Sequence, residues 1–103
     1  MRIISGKLKG RQIRFLKSKI TRPLKDSVKE NIFNVLKHSR NFQINFQGIK
    51  VLDFFSGSGS FGLECISRGS KKVQFIENNP KIQNTLYRNL SNNFDKFGYV
   101  SSL

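Results

Sequence analysis

The stretch Val51-Leu52-Asp53-Phe54-Phe55-Ser56-Gly57-Ser58-Gly59-Ser60-Phe61-Gly62 restricts the fold of this chain more than any other. It begins as an apolar run, breaks into alternating glycine and serine, and resumes with Phe61, Leu63 and Ile66 at helical spacing. That order predicts a buried strand over residues 49–55, a tight loop, and a helix of about 60–68 stopped by Gly69. A second strand with a polar tip is expected over residues 71–77, ending in Glu77. Together these elements make a βαβ unit, whose crossover should be right-handed and whose strands should be parallel.

A glycine-rich turn of this kind lets backbone approach a ligand, while the amides opening the helix face the ligand's polar end. Glu77 lies 20 residues after Gly57, where a carboxylate can take two ribose hydroxyls. The pattern therefore favours an adenosine-type cofactor over a ligand-free glycine turn. The Gly-Lys-Ser/Thr ending of a Walker A loop is missing, which disfavours ATP hydrolysis. Dinucleotide-binding and methyltransferase folds share both the turn and the ribose acid, and Asp53 separates them. An anion ahead of the glycines repels a nearby pyrophosphate but suits the cationic amino and sulfonium groups of S-adenosylmethionine. Its bland role, accepting hydrogen bonds from the loop's own amides, is compatible with that one.

Charge supplies the second constraint. Residues 1–50 hold 13 Lys and Arg against 2 Asp and Glu, whereas residues 51–103 hold 6 against 4. A compositional bias towards lysine would act along the whole chain, so the asymmetry points to a basic face or arm for a polyanion. The excess begins in residues 2–16, where two short apolar segments, 2–4 and 12–16, flank a basic connection containing glycine. A small hairpin or strand pair is expected. Alternation can place Ile3, Leu8, Ile13 and Phe15 on the protein and Arg2, Lys7, Lys9, Arg11 and Arg14 outward. A solvated edge strand guarded by cations is the competing reading. Five cations without an acid favour phosphate contact, which gives affinity and little sequence choice.

Pro23 extends the chain at Arg22. Ser27-Val28-Lys29-Glu30 has the form of a capping box, with Asp26 as an alternative cap. Val28, Ile32, Val35 and Leu36 then share one face of a helix running to about Lys37, with Phe33 beside them. His38 reads as a surface residue at the negative end of that helix. Asn79-Pro80 is an N-cap followed by proline at the first helical position, opening a helix through Ile82, Leu86 and Leu90. Residues 98–103 have the look of a third strand's beginning. The single cysteine, Cys65, excludes an internal disulfide, reads as packing, and fits a reducing cytoplasm. With one histidine besides, no zinc site built by the protein is expected. Nothing approaches the roughly 18 consecutive apolar residues of a membrane span.

These residues carry a family resemblance. Residues 51–59, followed by Gly62-Leu63-Glu64 and Ser67-Arg68-Gly69, resemble the first motif of the RsmD family, bacterial methyltransferases acting on the N2 amine of a guanine in 16S ribosomal RNA. Met1-Arg2-Ile3-Ile4 with Gly6-Lys7-Leu8-Lys9-Gly10-Arg11 resembles that family's basic hairpin. Thr21-Arg22-Pro23, with Asp26, Val28, Glu30 and Phe33-Asn34, resembles the segment before its core. Phe75-Ile76-Glu77 with Asn79-Pro80-Lys81 resembles its second motif, and Asn89-Leu90 its next helix end. Ser5 stands where the family usually has Gly, and Asn79 where it usually has Asp.

The resemblance implies an α/β fold, the N-terminal part of a Rossmann-like class I methyltransferase sheet preceded by a basic hairpin. Residues 1–20 would form the RNA-contacting extension and 21–103 an incomplete S-adenosylmethionine domain. Asp53, Ser56, Gly57, Ser58, Gly59, Glu77 and Asn78 would hold the cofactor, with Thr21 and Arg22 closing over it. Arg2, Lys7, Lys9, Arg11 and Arg14 would hold phosphates of ribosomal RNA or of a small-subunit assembly particle in the cytoplasm. The family's Asp/Asn-Pro-Pro-Phe/Tyr catalytic motif is missing, and the sequence contains no Pro-Pro pair. The expectation is cofactor binding without methyl transfer by this chain alone. A central strand left at the sheet's edge also predicts self-association. The alternatives are a non-catalytic RNA-binding fragment and a small dinucleotide-binding protein.

Overall fold

A computed structural model describes residues 1–15, 25–41, 43–54, 56–91 and 98–101. Its elements are α1 (Asp26–His38), β1 (Lys50–Phe54), α2 (Ser60–Ser67), β2 (Lys72–Ile76), α3 (Pro80–Ser91) and β3 (Gly98–Ser101). The three strands form one parallel sheet in the order β1-β2-β3. β1 and β2 are in register from Lys50–Lys72 to Phe54–Ile76. The expected strand–loop–helix–strand unit is present, and β1 is an outer strand of the sheet among the described residues. Leu52 and Phe54 remain about half exposed on it.

The core lies between the sheet, α2 and α3. Val73 and Phe75 of β2 pack with Leu63, Cys65 and Ile66 of α2 and with Leu86 and Leu90 of α3. Gly62 is required here by crowding: a Cβ on it would lie 2.3 Å from the Phe75 ring. The N-terminal arm belongs to the same cluster. Its two segments meet at an antiparallel bridge between Arg2 and Gln12, and the Ile3 amide donates to the Arg11 carbonyl at 2.9 Å. Ile3 and Ile13 are buried, while Arg2, Lys7, Lys9, Arg11 and Arg14 are exposed, as the alternation predicts.

α1 departs from expectation in two ways. It begins at Asp26 after Lys25, whose side chain makes no cap hydrogen bond. Asp26 instead accepts the backbone amide and guanidinium of Arg2, at 3.3 and 3.2 Å, so the capping-box reading fails. The helix is also rotated from its apolar stripe. Lys29 and Phe33 are buried, whereas Val28, Ile32 and Val35 are exposed. Phe33 is held by the rings of Phe46 and Phe61, at 5.0 and 4.8 Å, and by the Arg68 guanidinium 4.3 Å above its face. Lys29 is fixed by an ion pair with α2. These contacts hold the Lys29–Phe33 face of α1 inward and leave Val28, Ile32 and Val35 outward.

α3 starts as predicted. The Asn79 side-chain oxygen accepts the amides of Lys81 and Ile82, at 3.0 and 3.4 Å. No helix among the described residues is long and apolar enough to cross a membrane.

Candidate functional site

Parallel pairing brings the carboxyl ends of β1 and β2 side by side, the position at which open α/β sheets bind ligands. The loop after β1 is tied to the end of β2, because the Ser56 amide donates to the Ile76 carbonyl at 2.9 Å. The Ser56 hydroxyl donates to the Asp53 carbonyl at 2.7 Å, and the Gly59 amide donates to the Ser56 carbonyl at 2.9 Å. Gly57 and Gly59 both adopt positive φ, 58° and 87°, which favours glycine. Their surroundings differ. A Cβ on Gly59 would lie 2.4 Å from a Leu86 methyl, whereas one on Gly57 would meet no atom of the described residues within 4 Å. Gly59 lets α3 pack close, and Gly57 leaves the loop open to solvent on the side where a ligand can approach.

Both acids converge on this loop. Glu77 accepts the Gly57 amide at 3.0 Å with one oxygen and the Asn79 amide at 3.0 Å with the other. Asp53 accepts the Gly62 amide, in the first turn of α2, at 3.2 Å. Burial pushes the Asp53 carboxyl up to about 6; the Gly62 hydrogen bond opposes that rise and the nearby Glu77 charge adds to it. An ionised Asp53 is therefore short of positive charge, which a cationic ligand group would supply. Of the residues expected to hold the cofactor, hydrogen bonds join Ser56 to Asp53 and Gly59, and Gly57 to Glu77, with Ser58 between them in the same loop. Asn78 is exposed immediately beside Glu77. Thr21 and Arg22 lie outside the described residues.

The arm is joined to this loop. Asn89, buried on α3, donates from its side-chain nitrogen to the carbonyls of Ser58 and Arg14, both at 2.8 Å. Its side-chain oxygen accepts the Arg14 amide at 3.0 Å. Arg2 of the arm is ion-paired with Asp26 at 3.2 Å.

A buried charge cluster beneath the arm has no counterpart in the sequence-based site. Glu64 on α2 is fully buried and accepts the amides of Ile4 and Ser5, at 2.8 and 3.0 Å. It pairs with Lys29 at 3.3 Å and with Arg68 at 3.0 Å. The Lys29 ammonium also donates to the Arg2 carbonyl at 2.6 Å and to the Ser60 hydroxyl at 3.0 Å. The signal for Glu64 was an acid within the otherwise small and apolar segment SFGLECIS. Lys29 gave none beyond its place on α1.

Comparison with known proteins places this geometry. The family model described as "Conserved hypothetical protein 95" matches residues 1–98. This chain belongs to that family, the RsmD family. "Ribosomal RNA small subunit methyltransferase D" of Haemophilus influenzae is 41% identical over 90 residues, covering 87% of this chain and 44% of that protein. "Putative rRNA methyltransferase YlbH" of Bacillus subtilis is 40% identical over 90 residues, covering 87% of this chain and 46% of that protein. The chain thus spans under half the length of these RsmD-family relatives. Among solved structures, "Putative methyltransferase yhhF from Escherichia coli" superimposes with a TM-score of 0.78 at 31% identity, covering 97% of this chain and 50% of that one. The fold is accordingly a partial Rossmann-like class I methyltransferase sheet.

Proposed function

We propose that this chain forms the S-adenosylmethionine-binding part of a methyltransferase whose substrate is the N2 amine of a guanine in small-subunit ribosomal RNA. The observation that carries the reading is the pairing of two differently placed carboxylates around one glycine loop. Asp53 is partly buried, reluctant to ionise and set at the loop's entry; Glu77 braces its far side. The residues present fit the cofactor. Asp53 offers its charge to the cationic amino and sulfonium groups, and Ser56, Gly57, Ser58 and Gly59 offer backbone to the methionine end. Glu77 has lone pairs beyond those used by the Gly57 and Asn79 amides, and these suit the two ribose hydroxyls. Asn78 sits beside it, and Thr21 and Arg22 are assigned to closure over the site by family resemblance.

When bound, the cofactor supplies an electrophilic methyl group on sulfur. The chain's own part is to bind and orient that group, a large share of the catalysis where chemistry is mainly positioning. Residues 1–20 serve as the RNA-contacting extension, with Arg2, Lys7, Lys9, Arg11 and Arg14 as its phosphate ligands. No residue here is assigned to gripping the accepting amine. Isothermal calorimetry with S-adenosylhomocysteine tests the reading: saturable one-to-one binding supports it, and absence of binding rejects it.

A further inference from the structure

Asn89 is the point at which the arm and the glycine loop share a single side chain. A peptide unit is planar, so its carbonyl and its N–H point in opposite directions. Asn89 holds the Ser58 carbonyl at 2.8 Å, and on the other side of that peptide the Gly59 N–H reaches the Ser56 carbonyl at 2.9 Å. Fixing the carbonyl thus fixes the amide, and with it the conformation of the turn between Gly57 and Ser60. The same Asn89 amide group closes a two-way hydrogen bond with the backbone of Arg14, whose side chain is on the exposed basic face of the arm.

Two further contacts join the same pair of segments. The Ser58 hydroxyl lies 3.7 Å from the Met1 sulfur, and the Lys29 ammonium bridges the Arg2 carbonyl to the Ser60 hydroxyl. Ser58 and Ser60, which flank Gly59, are therefore each linked to the arm.

We propose that Asn89 is a positioning residue that transmits order between the basic arm and the cofactor loop, so that RNA on the arm and cofactor in the loop strengthen each other's binding. This rests on the reading of the loop as an S-adenosylmethionine site and of the arm as an RNA site. A ligand that immobilises the Arg14 segment lowers the cost of ordering the Ser58–Gly59 peptide, and the loop's ligand does the converse. By linkage the two effects are equal in size.

The test is calorimetry with S-adenosylhomocysteine, with and without a saturating short guanine-containing RNA hairpin, on the full chain and on Asn89→Asp and Asn89→Ala. Asn89→Asp keeps the shape and the acceptor for the Arg14 amide but loses both donated bonds. The wild-type chain is expected to bind S-adenosylhomocysteine about tenfold more tightly with RNA present, within the usual range of such couplings. Either variant should reduce that ratio to below about twofold while still binding each ligand alone. A merely structural role would lower the unfolding midpoint and leave the ratio untouched, which would overturn the proposal. So would a wild-type ratio of one. No binding of S-adenosylhomocysteine under any condition would reject the cofactor reading itself, a result distinct from binding without coupling. Hydrogen exchange on the wild-type chain needs no variant: RNA alone should slow exchange at the Gly59 amide, and unchanged exchange there contradicts the coupling.

Discussion

The ammonium of Lys29 lies 3.3 Å from the carboxylate of Glu64, and both side chains are fully buried. Lys29 donates to the Arg2 carbonyl and Ser60 and is ion-paired with Glu64, and Glu64 takes two amides and two cations. An isolated buried charge is costly, so removing one partner should cost more than the pair itself contributes. Glu64→Leu strands Lys29 and the amides of Ile4 and Ser5, and should lower stability by about 3–5 kcal/mol. Lys29→Met leaves Glu64 with Arg68 and both amides, so its loss should be smaller. Urea denaturation of the two variants gives the order; an equal or reversed order would show that the amide contacts carry little.

Asp53 links stability to pH with a definite sign. Its carboxyl titrates near 6 in the folded chain, above its ordinary value of 3.8, so the folded state holds the proton more tightly. This group therefore destabilises the fold as pH rises from about 4 to about 6, by roughly 3 kcal/mol in all. Asp53→Asn should raise the unfolding temperature at neutral pH, with little effect near pH 4. An unchanged unfolding temperature at neutral pH would mean that Asp53 is well solvated.

The same titration should govern ligand binding. A cationic group beside Asp53 interacts with the ionised form, so S-adenosylhomocysteine affinity should rise between pH 5 and 7 and level off above it. Since ionisation centres near 6, the gain over that span should be about tenfold. Affinity measured across the range checks this, and a flat profile would place the ligand's amino group elsewhere.

The arm makes a separate prediction about salt. Replacing Lys7, Lys9 and Arg11 together by Ala should reduce the slope of log affinity for RNA against log salt by about 2, as expected for three phosphate contacts on single-stranded RNA. Fluorescence anisotropy over a salt series would show it. An unchanged slope would move the RNA to another face.

Cys65 should be chemically silent. Burial pushes its thiol up to about 12, and the nearby Asp53 and Glu64 charges add to that rise. Because the thiolate is the reactive form, a thiol reagent should modify Cys65 only as fast as the chain unfolds. Rapid labelling in native buffer would contradict its place in the core.

Much of the fold was legible because it rests on local signals. The apolar run ending in Gly57-Ser58-Gly59 set the strand, loop and helix, Asn79-Pro80 set the start of α3, and alternation set which arm residues face outward. The errors arose where long-range contacts overrule a local pattern. Val28, Ile32 and Val35 form a good apolar stripe, yet Lys29 and Phe33 are buried because Glu64 lies 35 residues away in sequence from Lys29 and waits beneath α1. Asp26 has the chemistry of a cap and serves Arg2 instead. Asn89 was visible only as part of a helix end; its partners Ser58 and Arg14 are separated from it by 31 and 75 residues, and no periodicity reports such a contact.

The proposed S-adenosylmethionine site rests on an anion at Asp53 and a brace at Glu77. The most direct test is calorimetry of the wild-type chain and Asp53→Asn with S-adenosylhomocysteine and with NAD. The wild type should bind S-adenosylhomocysteine and not NAD, and Asp53→Asn should weaken this binding by about tenfold or more while the chain stays folded. Binding of NAD alone, or undiminished S-adenosylhomocysteine affinity in Asp53→Asn, would contradict it.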